Sequence, residues 1–367
     1  MELFKFNVGT SGDPTVLERG EAINKVESIM WVERYRDAGE FEIIAKLSSG
    51  LGEFLPIGGL ISHADTYEVM IVENHEINES NDEDPTITIT GRSFETFLEN
   101  RIVGTNLVRA SSLITEYELP AAYTWTQATK LINDHIVDTT NPDDALGNFL
   151  GTTTIPGTGV SEARVIPRGN VYQKLLEILA IDDLGIQSSR RNTFPGGNPT
   201  TSTLSVFKGA DKSASIIFSW KSGDLSSVDY LFSDKKLKNS VMVVGRYINT
   251  IVDLGPVNYD RRMMILDAND IDGNFSEPPT GASLTATLTK MQTRGRAALK
   301  AQNRVTISRT DISKVTKFQY RRDYKVGDLI TLDGNFGQMA VMRVVEYVEI
   351  EDENGESGHP TLELPGE

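Results

Sequence analysis

The segment Thr86-Ile87-Thr88-Ile89-Thr90 alternates polar and apolar β-branched side chains without a break. In an extended strand every second side chain points the same way, so this stretch builds a sheet with one buried and one open face. Its neighbours obey the same rule. Val26, Ile29, Trp31, Val32 and Tyr35 lead into a turn at Asp37-Ala38-Gly39, and Phe41-Glu42-Ile43-Ile44-Ala45 leads out, which is a hairpin signature. Tyr67 to Glu73, a polar loop from Asn78 to Asp84 and the Thr-Ile run predict a second hairpin. Ser93 is placed to cap a short helix through Phe94 and Leu98. A small antiparallel barrel or sandwich accommodates the first hundred residues.

The middle of the chain changes period. Trp125, Ala128, Leu131, Ile132 and Ile136 recur at helical spacing, and Val171, Leu175, Ile178 and Leu179 do so again, with Asn170 as N-cap and Gly185 as the stop. These two helices are expected to cover a sheet. Asp138 to Val160 and Ser188 to Ser202 are rich in Thr, Gly, Pro and Asn and read as surface loops, candidates for partner contact. Short strands at Thr203–Phe207, Ser215–Trp220 and Ser240–Tyr247 complete an α+β pattern.

After Pro278-Pro279 a helix is expected near 283–302. Leu284, Leu288, Met291, Ala298 and Leu299 form its apolar stripe, with Lys290, Arg294, Arg296 and Lys300 around the rest. The chain then returns to strands: Val305–Ser308, Lys317–Tyr320, Gly327–Leu332, Met339–Ile350 and Thr361–Leu364, with Asn354-Gly355 as a hairpin turn.

The 367 residues include no cysteine, which removes disulfides, thiol nucleophiles and cysteine-ligated metal sites, and only 4 histidines. No basic region followed by an apolar stretch opens the chain, and no window reaches the ~18 apolar residues of a membrane span, so neither a signal peptide nor stable membrane insertion is expected. The net charge of -16 argues against DNA or anionic lipid as the main partner. That charge is laid out in blocks. Residues 1–100 carry 7 Lys/Arg against 20 Asp/Glu, residues 290–325 carry 11 against 2, and residues 326–367 carry 1 against 10. Solvated faces are the bland reading of such blocks; complementary contact between subunits is the sharper one.

Catalytic signatures are missing. No phosphate loop, dinucleotide fingerprint or nucleophile elbow occurs. His75-Glu76 begins a zinc-protease pattern, but position 79 is Glu. Ser233-Asp234-Lys235-Lys236 matches Ser-x-x-Lys without a Lys-Thr-Gly partner. Asp267, Asn269, Asp270 and Asp272 approach a calcium loop, yet Gly273 falls one place late and Pro278 stands where a bidentate carboxylate belongs. Lys317-Phe318-Gln319-Tyr320-Arg321 reads as a half-buried strand rather than a nucleic-acid groove, because the flanking acidic blocks would repel phosphates. No catalytic, cofactor-binding or metal residue is therefore assigned, and no cofactor is expected.

Several segments together resemble one family. They are Trp31-Val32-Glu33-Arg34-Tyr35-Arg36-Asp37-Ala38-Gly39-Glu40-Phe41-Glu42, Ile87-Thr88-Ile89-Thr90-Gly91-Arg92-Ser93, Arg261-Arg262 with Asp267-Ala268, and Gly295-Arg296-Ala297-Ala298-Leu299. Tyr324-Lys325-Val326-Gly327-Asp328-Leu329-Ile330-Thr331-Leu332 and Arg343-Val344-Val345-Glu346-Tyr347 follow in the same order. The set resembles the tail-tip, or baseplate, hub proteins of long-tailed bacteriophages, in a form without a C-terminal lysin domain.

That resemblance implies a mainly β fold: two related antiparallel β-barrel tube domains plus a mixed α/β middle module. The boundaries expected are 1–100 for the first barrel, 101–238 for the middle module, and 239–367 for the second barrel with its inserted helix. It further implies a homotrimeric structural hub in the virion tail tip, assembled in the host cytoplasm. The hub would close the tail tube and contact the distal tail protein, the tape measure protein and a fibre, spike or receptor-binding protein. DNA would pass through its lumen without specific binding. On this reading Arg294, Arg296, Lys300, Arg321 and Arg322 neutralise acidic surface on a neighbour. The alternatives are a tail-associated cell-wall hydrolase and a carbohydrate-binding β module; Trp31, Trp125 and Trp220 read as core instead of an exposed stacking platform.

Overall fold

The computed structural model describes residues 2–8, 17–66, 68–79, 84–104, 116–137, 161–191, 201–233, 237–255, 259–272, 277–300, 305–312, 317–333 and 339–365. Asp138–Val160, Asp234–Lys236 and Gly273 lie outside them.

Both ends of the chain enter one sheet. From one edge its strands run Leu17–Ala22, Leu3–Val8, Leu60–His63, Val69–Asn78, Thr86–Ser93, Glu40–Lys46 and Ser28–Arg34. They continue through Met339–Asp352, Gly355–Glu363, Val305–Ile312 and Leu225–Ser233. Leu329–Asp333 adds to Met339–Asp352, and Ile217–Ser219 adds to it in parallel, making 13 strands. Among the described residues these pairings form an open path. The two halves meet where Ser28–Arg34 pairs antiparallel with Met339–Asp352, in the register Glu346↔Arg34, Val348↔Val32 and Ile350↔Met30.

The alternation in Thr86–Ser93 is realised: Ile87, Ile89, Gly91 and Ser93 are buried and the intervening residues are half-exposed. Ile87 and Ile89 join Trp31, Phe41, Ile43 and Val72 in the N-terminal core. A C-terminal core gathers Phe218, Tyr324, Ile330, Leu332, Met342, Val344 and Leu362. Both expected hairpins form, and the turn between Asp352 and Gly355 uses Gly355 at φ 100, a conformation open to glycine.

The helices Thr124–Ile132 and Val171–Leu179 pack together in a core shared with Phe4, Phe6 and Val69 of the large sheet. Asn170 caps the second helix by accepting from the Gln173 amide at 3.2 Å. Thr203–Phe207, Ser215–Trp220 and Ser240–Tyr247 fall in three different sheets. They lie in the hairpin Gly185–Arg191 with Thr201–Phe207, in the large sheet, and in a three-stranded sheet.

That last sheet, ordered Asn249–Asp253, Ser240–Val244, Met263–Asp267, is covered on one face by the helix Gly281–Lys300. The buried line of this helix is Thr287, Met291, Gly295 and Leu299, four residues apart, so the stripe runs through a threonine and a glycine and leaves Leu284 and Leu288 half-exposed. A Cβ on Gly295 would stand 2.9 to 3.1 Å from Val243, Val252 and Val241, and only glycine lets the helix sit this close.

Four local expectations are corrected. Ser93 precedes its short helix but does not cap it, since its hydroxyl accepts from the Gly39 amide at 2.8 Å. Gly185 does not end the helix, which stops at Leu179; it opens a strand beneath the Tyr35 ring, which a Cβ would overlap. Ser188–Ser202 is not a single loop, because strand pairing runs to Arg191 and resumes at Thr201. Lys317–Tyr320 is not a strand: the chain turns there, with Arg321 in the left-handed region at φ 65, while Phe318 and Tyr320 still pack against the core.

Candidate functional site

The large sheet turns one face away from its N-terminal core. Across six strands the register aligns Ser357, Ile350, Met30, Glu42, Thr90 and Asn74 in one row. A second row aligns Ser28, Ile44, Thr88 and Glu76. These side chains point away from the Trp31–Phe41 core, as the strand period requires.

Cations on this face are spoken for. Arg34 bridges Glu40 at 2.6 Å and Glu346 at 2.8 Å, tying adjacent strands across the junction. Arg92 holds Glu73 at 2.8 Å and Glu99 at 3.1 Å, and Lys46 holds Asp84 at 2.9 Å. Glu42 and Glu76 form no ion pair among the described residues. The face is therefore mixed, with Met30, Ile44 and Ile350 among threonines and glutamates, and net acidic, and its described cations are paired and not free for a phosphate backbone.

Behind it the junction is sealed by a buried ionic cluster. Arg321 contacts Glu33 at 2.8 Å and Glu349 at 2.8 Å, and the Tyr320 hydroxyl donates to Glu33 at 2.5 Å. Tyr320 stacks on Tyr347 with ring centroids 3.6 Å apart. Burial pushes the Tyr320 hydroxyl well above its usual range, and the Glu33 carboxylate adds to that shift.

A second knot joins all three parts of the chain at Tyr35. Its amide donates to Val345, its carbonyl accepts from Ile186, and its hydroxyl donates to the Asp183 carbonyl at 2.8 Å. Asp183 also pairs with Arg36 and Arg343, and Phe207 meets the Tyr35 ring edge-on. Gly327 and Gly185 both lie against that ring, where a Cβ would collide. Burial pushes the Tyr35 hydroxyl up to about 12, so it stays a donor.

Glu68 and Glu95 are fully buried nearby. Glu95 accepts from the Ser188 amide, linking the N-terminal sheet region to the middle hairpin. One carboxylate oxygen of each has no hydrogen-bond partner. Burial raises both, and the neighbouring Glu95 and Glu33 push Glu68 further, well above the usual carboxylate range.

The residues singled out from sequence are dispersed. Arg321 is consumed inside the junction by Glu33 and Glu349, which removes it from the basic set expected to reach another subunit, while Arg322 is exposed and pairs with its neighbour Asp323 at 2.7 Å. Arg296 is exposed on the helix Gly281–Lys300. His75 lies in a strand with Nε2 2.7 Å from the Leu55 carbonyl, and His135 is buried between Leu131 and the Gly104 amide. Asp267 accepts from the Asn269 amide, an Asx turn, and no metal-ligating cluster occurs among the described residues. No described helix is long and apolar enough to cross a membrane. The ionic junction itself had no sequence signal, because its partners lie up to 288 residues apart.

This architecture is shared with phage tail proteins of known structure. The tail protein from Neisseria meningitidis MC58 matches with TM-score 0.57 at 14% identity, covering 100% of this chain and 97% of that one. The prophage MuSo2 43 kDa tail protein from Shewanella oneidensis gives TM-score 0.57 at 14% identity, covering 100% and 99%. Prophage tail protein gp18 from Listeria monocytogenes EGD-e gives 0.55 at 9%, covering 100% and 95%. No curated protein matches the sequence. The model of the siphovirus ReqiPepy6 Gp37-like protein family matches residues 13–362, and the chain belongs to that family.

Proposed function

We propose that this chain is the structural hub at the distal end of a bacteriophage tail. The observation that carries the reading is the sheet shared by both ends of the chain, whose open face presents threonine, serine and glutamate beside Met30, Ile44 and Ile350 while its described arginines are held by carboxylates. A wall of this kind suits a lumen through which DNA slides without adhering.

In this reading three copies form the ring. Each contributes two β units, built around the strands before residue 100 and those after 300, closing as barrels within the assembly. A trimer continues a six-fold tube when each subunit presents two similar docking surfaces, and closed rings need head-to-tail contacts. The distal tail protein would bind above, a fibre, spike or receptor-binding protein below, and the tape measure protein and DNA would leave through the opened centre. The role is mechanical, within the virion. Its support is that Glu68 and Glu95, the carboxylates that burial raises, are sealed in the interior away from any substrate.

The test is the mass of the purified particle in solution together with negative-stain images. A ring of three 40.5 kDa chains with a central hole is expected. A compact monomer at every concentration, or clearing of bacterial cell walls by the purified chain, would overturn the proposal.

A further inference from the structure

The three-stranded sheet has an uncovered apolar face. Its inner face packs Val241, Val243 and Val252 under the helix Gly281–Lys300. On the outer face the register places Met242 between Ile251 and Ile265, with Met263 at the next position. Ile265 is 75% exposed, Ile251 50% and Met263 40%. Leaving such a cluster in water forgoes about 25 cal/mol for each Å² of apolar surface, and grouped exposure of this kind marks an interaction site.

Charge identifies the occupant. The outer face is rimmed by Asp253 and Asp267, both exposed; Asp253 meets Arg261 at 2.9 Å, and Asp267 has no cation partner among the described residues. The helix on the opposite side of the same unit carries four cations, Lys290, Arg294, Arg296 and Lys300, and no carboxylate. Lys290 and Arg296 are exposed, and beside them the outward residues Thr289 and Thr293 turn their hydroxyls onto the Thr285 and Thr289 carbonyls at 2.9 Å each. Two outer faces packed on each other would set the aspartates against one another, whereas a helix from another copy brings cations to them.

We infer that the outer face of the sheet Ser240–Asp267 is covered by the outward side of the Gly281–Lys300 helix of a neighbouring copy, with Arg296 reaching the aspartate rim. The contact is heterologous, so each copy offers the sheet to one neighbour and the helix to the other. It rests on the ring reading above and names part of its interface. A standard interface buries about 800 Å² per partner, so this patch supplies one portion of the ring contact.

The chain has no cysteine, so site-specific cross-linking needs no background removal. Under oxidation, the Ile265→Cys, Thr289→Cys double variant is expected to form covalent species of two and three chains, while each single variant stays uncross-linked. Arg296→Glu and Asp267→Arg should each weaken association at least tenfold by sedimentation, and the double charge swap should restore it. A wild-type ring with no cross-link and no effect of either charge reversal would overturn this interface and leave the hub reading standing. Cross-linking of Ile265→Cys to itself would show sheet-to-sheet packing and overturn it as well. A wild-type chain that remains single at all concentrations, with no cross-link, would overturn both.

Discussion

Glu33 and Arg321 meet at 2.8 Å across the junction of the N- and C-terminal strands, although 288 residues separate them. Glu33 is buried and Arg321 largely so, and the pair is completed by Glu349 and Tyr320. Removing one partner strands the opposite charge in a medium that solvates it poorly. Arg321→Ala is expected to lower stability by about 3 kcal/mol, read from the urea midpoint at unchanged slope. Arg322→Ala, whose partner Asp323 is its exposed surface neighbour, should leave the midpoint unchanged.

Tyr35 separates hydrogen bonding from packing. Tyr35→Phe keeps the ring between Gly185, Gly327 and Phe207 and loses only the bond to Asp183, a cost of about 1 kcal/mol. Tyr35→Ala empties the site where all three parts of the chain meet and should cost about 4 kcal/mol. Equal effects of the two variants in thermal unfolding would show that the ring is not the keystone.

Glu68 and Glu95 set a pH dependence. Burial favours their neutral form in the fold, so their folded-state pKa values lie above the ordinary 4.5. The fold therefore binds more protons than the unfolded chain. Their contribution is complete below about pH 4.5 and declines as pH rises through the folded values, by up to ~1.4 kcal/mol per pH unit for each carboxyl. Glu68→Gln should flatten the stability profile above about pH 4.5, where the raised carboxyl would otherwise lose its proton. An unchanged slope would assign the dependence elsewhere.

Gly295 fixes the distance between its helix and the sheet beneath. Gly295→Val would press branched carbons onto Val241, Val243 and Val252 and should destabilise by about 2 kcal/mol, despite the better helix propensity of valine. Faster amide exchange confined to residues 240–267 and 281–299 would localise the damage there.

The open face should become adhesive when its charge is reversed. Glu42→Lys, Glu76→Lys and Thr90→Lys together place three uncompensated cations per copy on the proposed lumen wall. Salt-sensitive retention of double-stranded DNA is expected, against none for the unaltered protein. Equal retention by both would argue that this face is not the lumen.

Local elements were legible because their causes are local. The hairpin at Asp37–Gly39, the Asn170 cap and the two amphipathic helices each follow from residues a few positions apart. What escaped depends on distant partners. Gly185 resembles a helix stop until the Tyr35 ring lies over it, and Arg321 resembles a free surface cation until Glu33 and Glu349 enclose it. The alternation in Lys317–Arg321 correctly sorts aromatics inward, yet the backbone that delivers them is a turn, since burial constrains side chains and not the path between them.

The pairing of Ser28–Arg34 with Met339–Asp352 also has a history in time. Arg34 is synthesised 312 residues before Glu346, so at about 5–20 residues per second the early strand waits roughly 15 to 60 s for its partner. During translation its backbone donors and acceptors form an exposed edge, open to pairing with a sister chain on the same message. A chain truncated before Met339 would lack this partner strand and keep the Ser28–Arg34 edge unpaired, which makes completion of the sheet the step that removes an aggregation-prone edge.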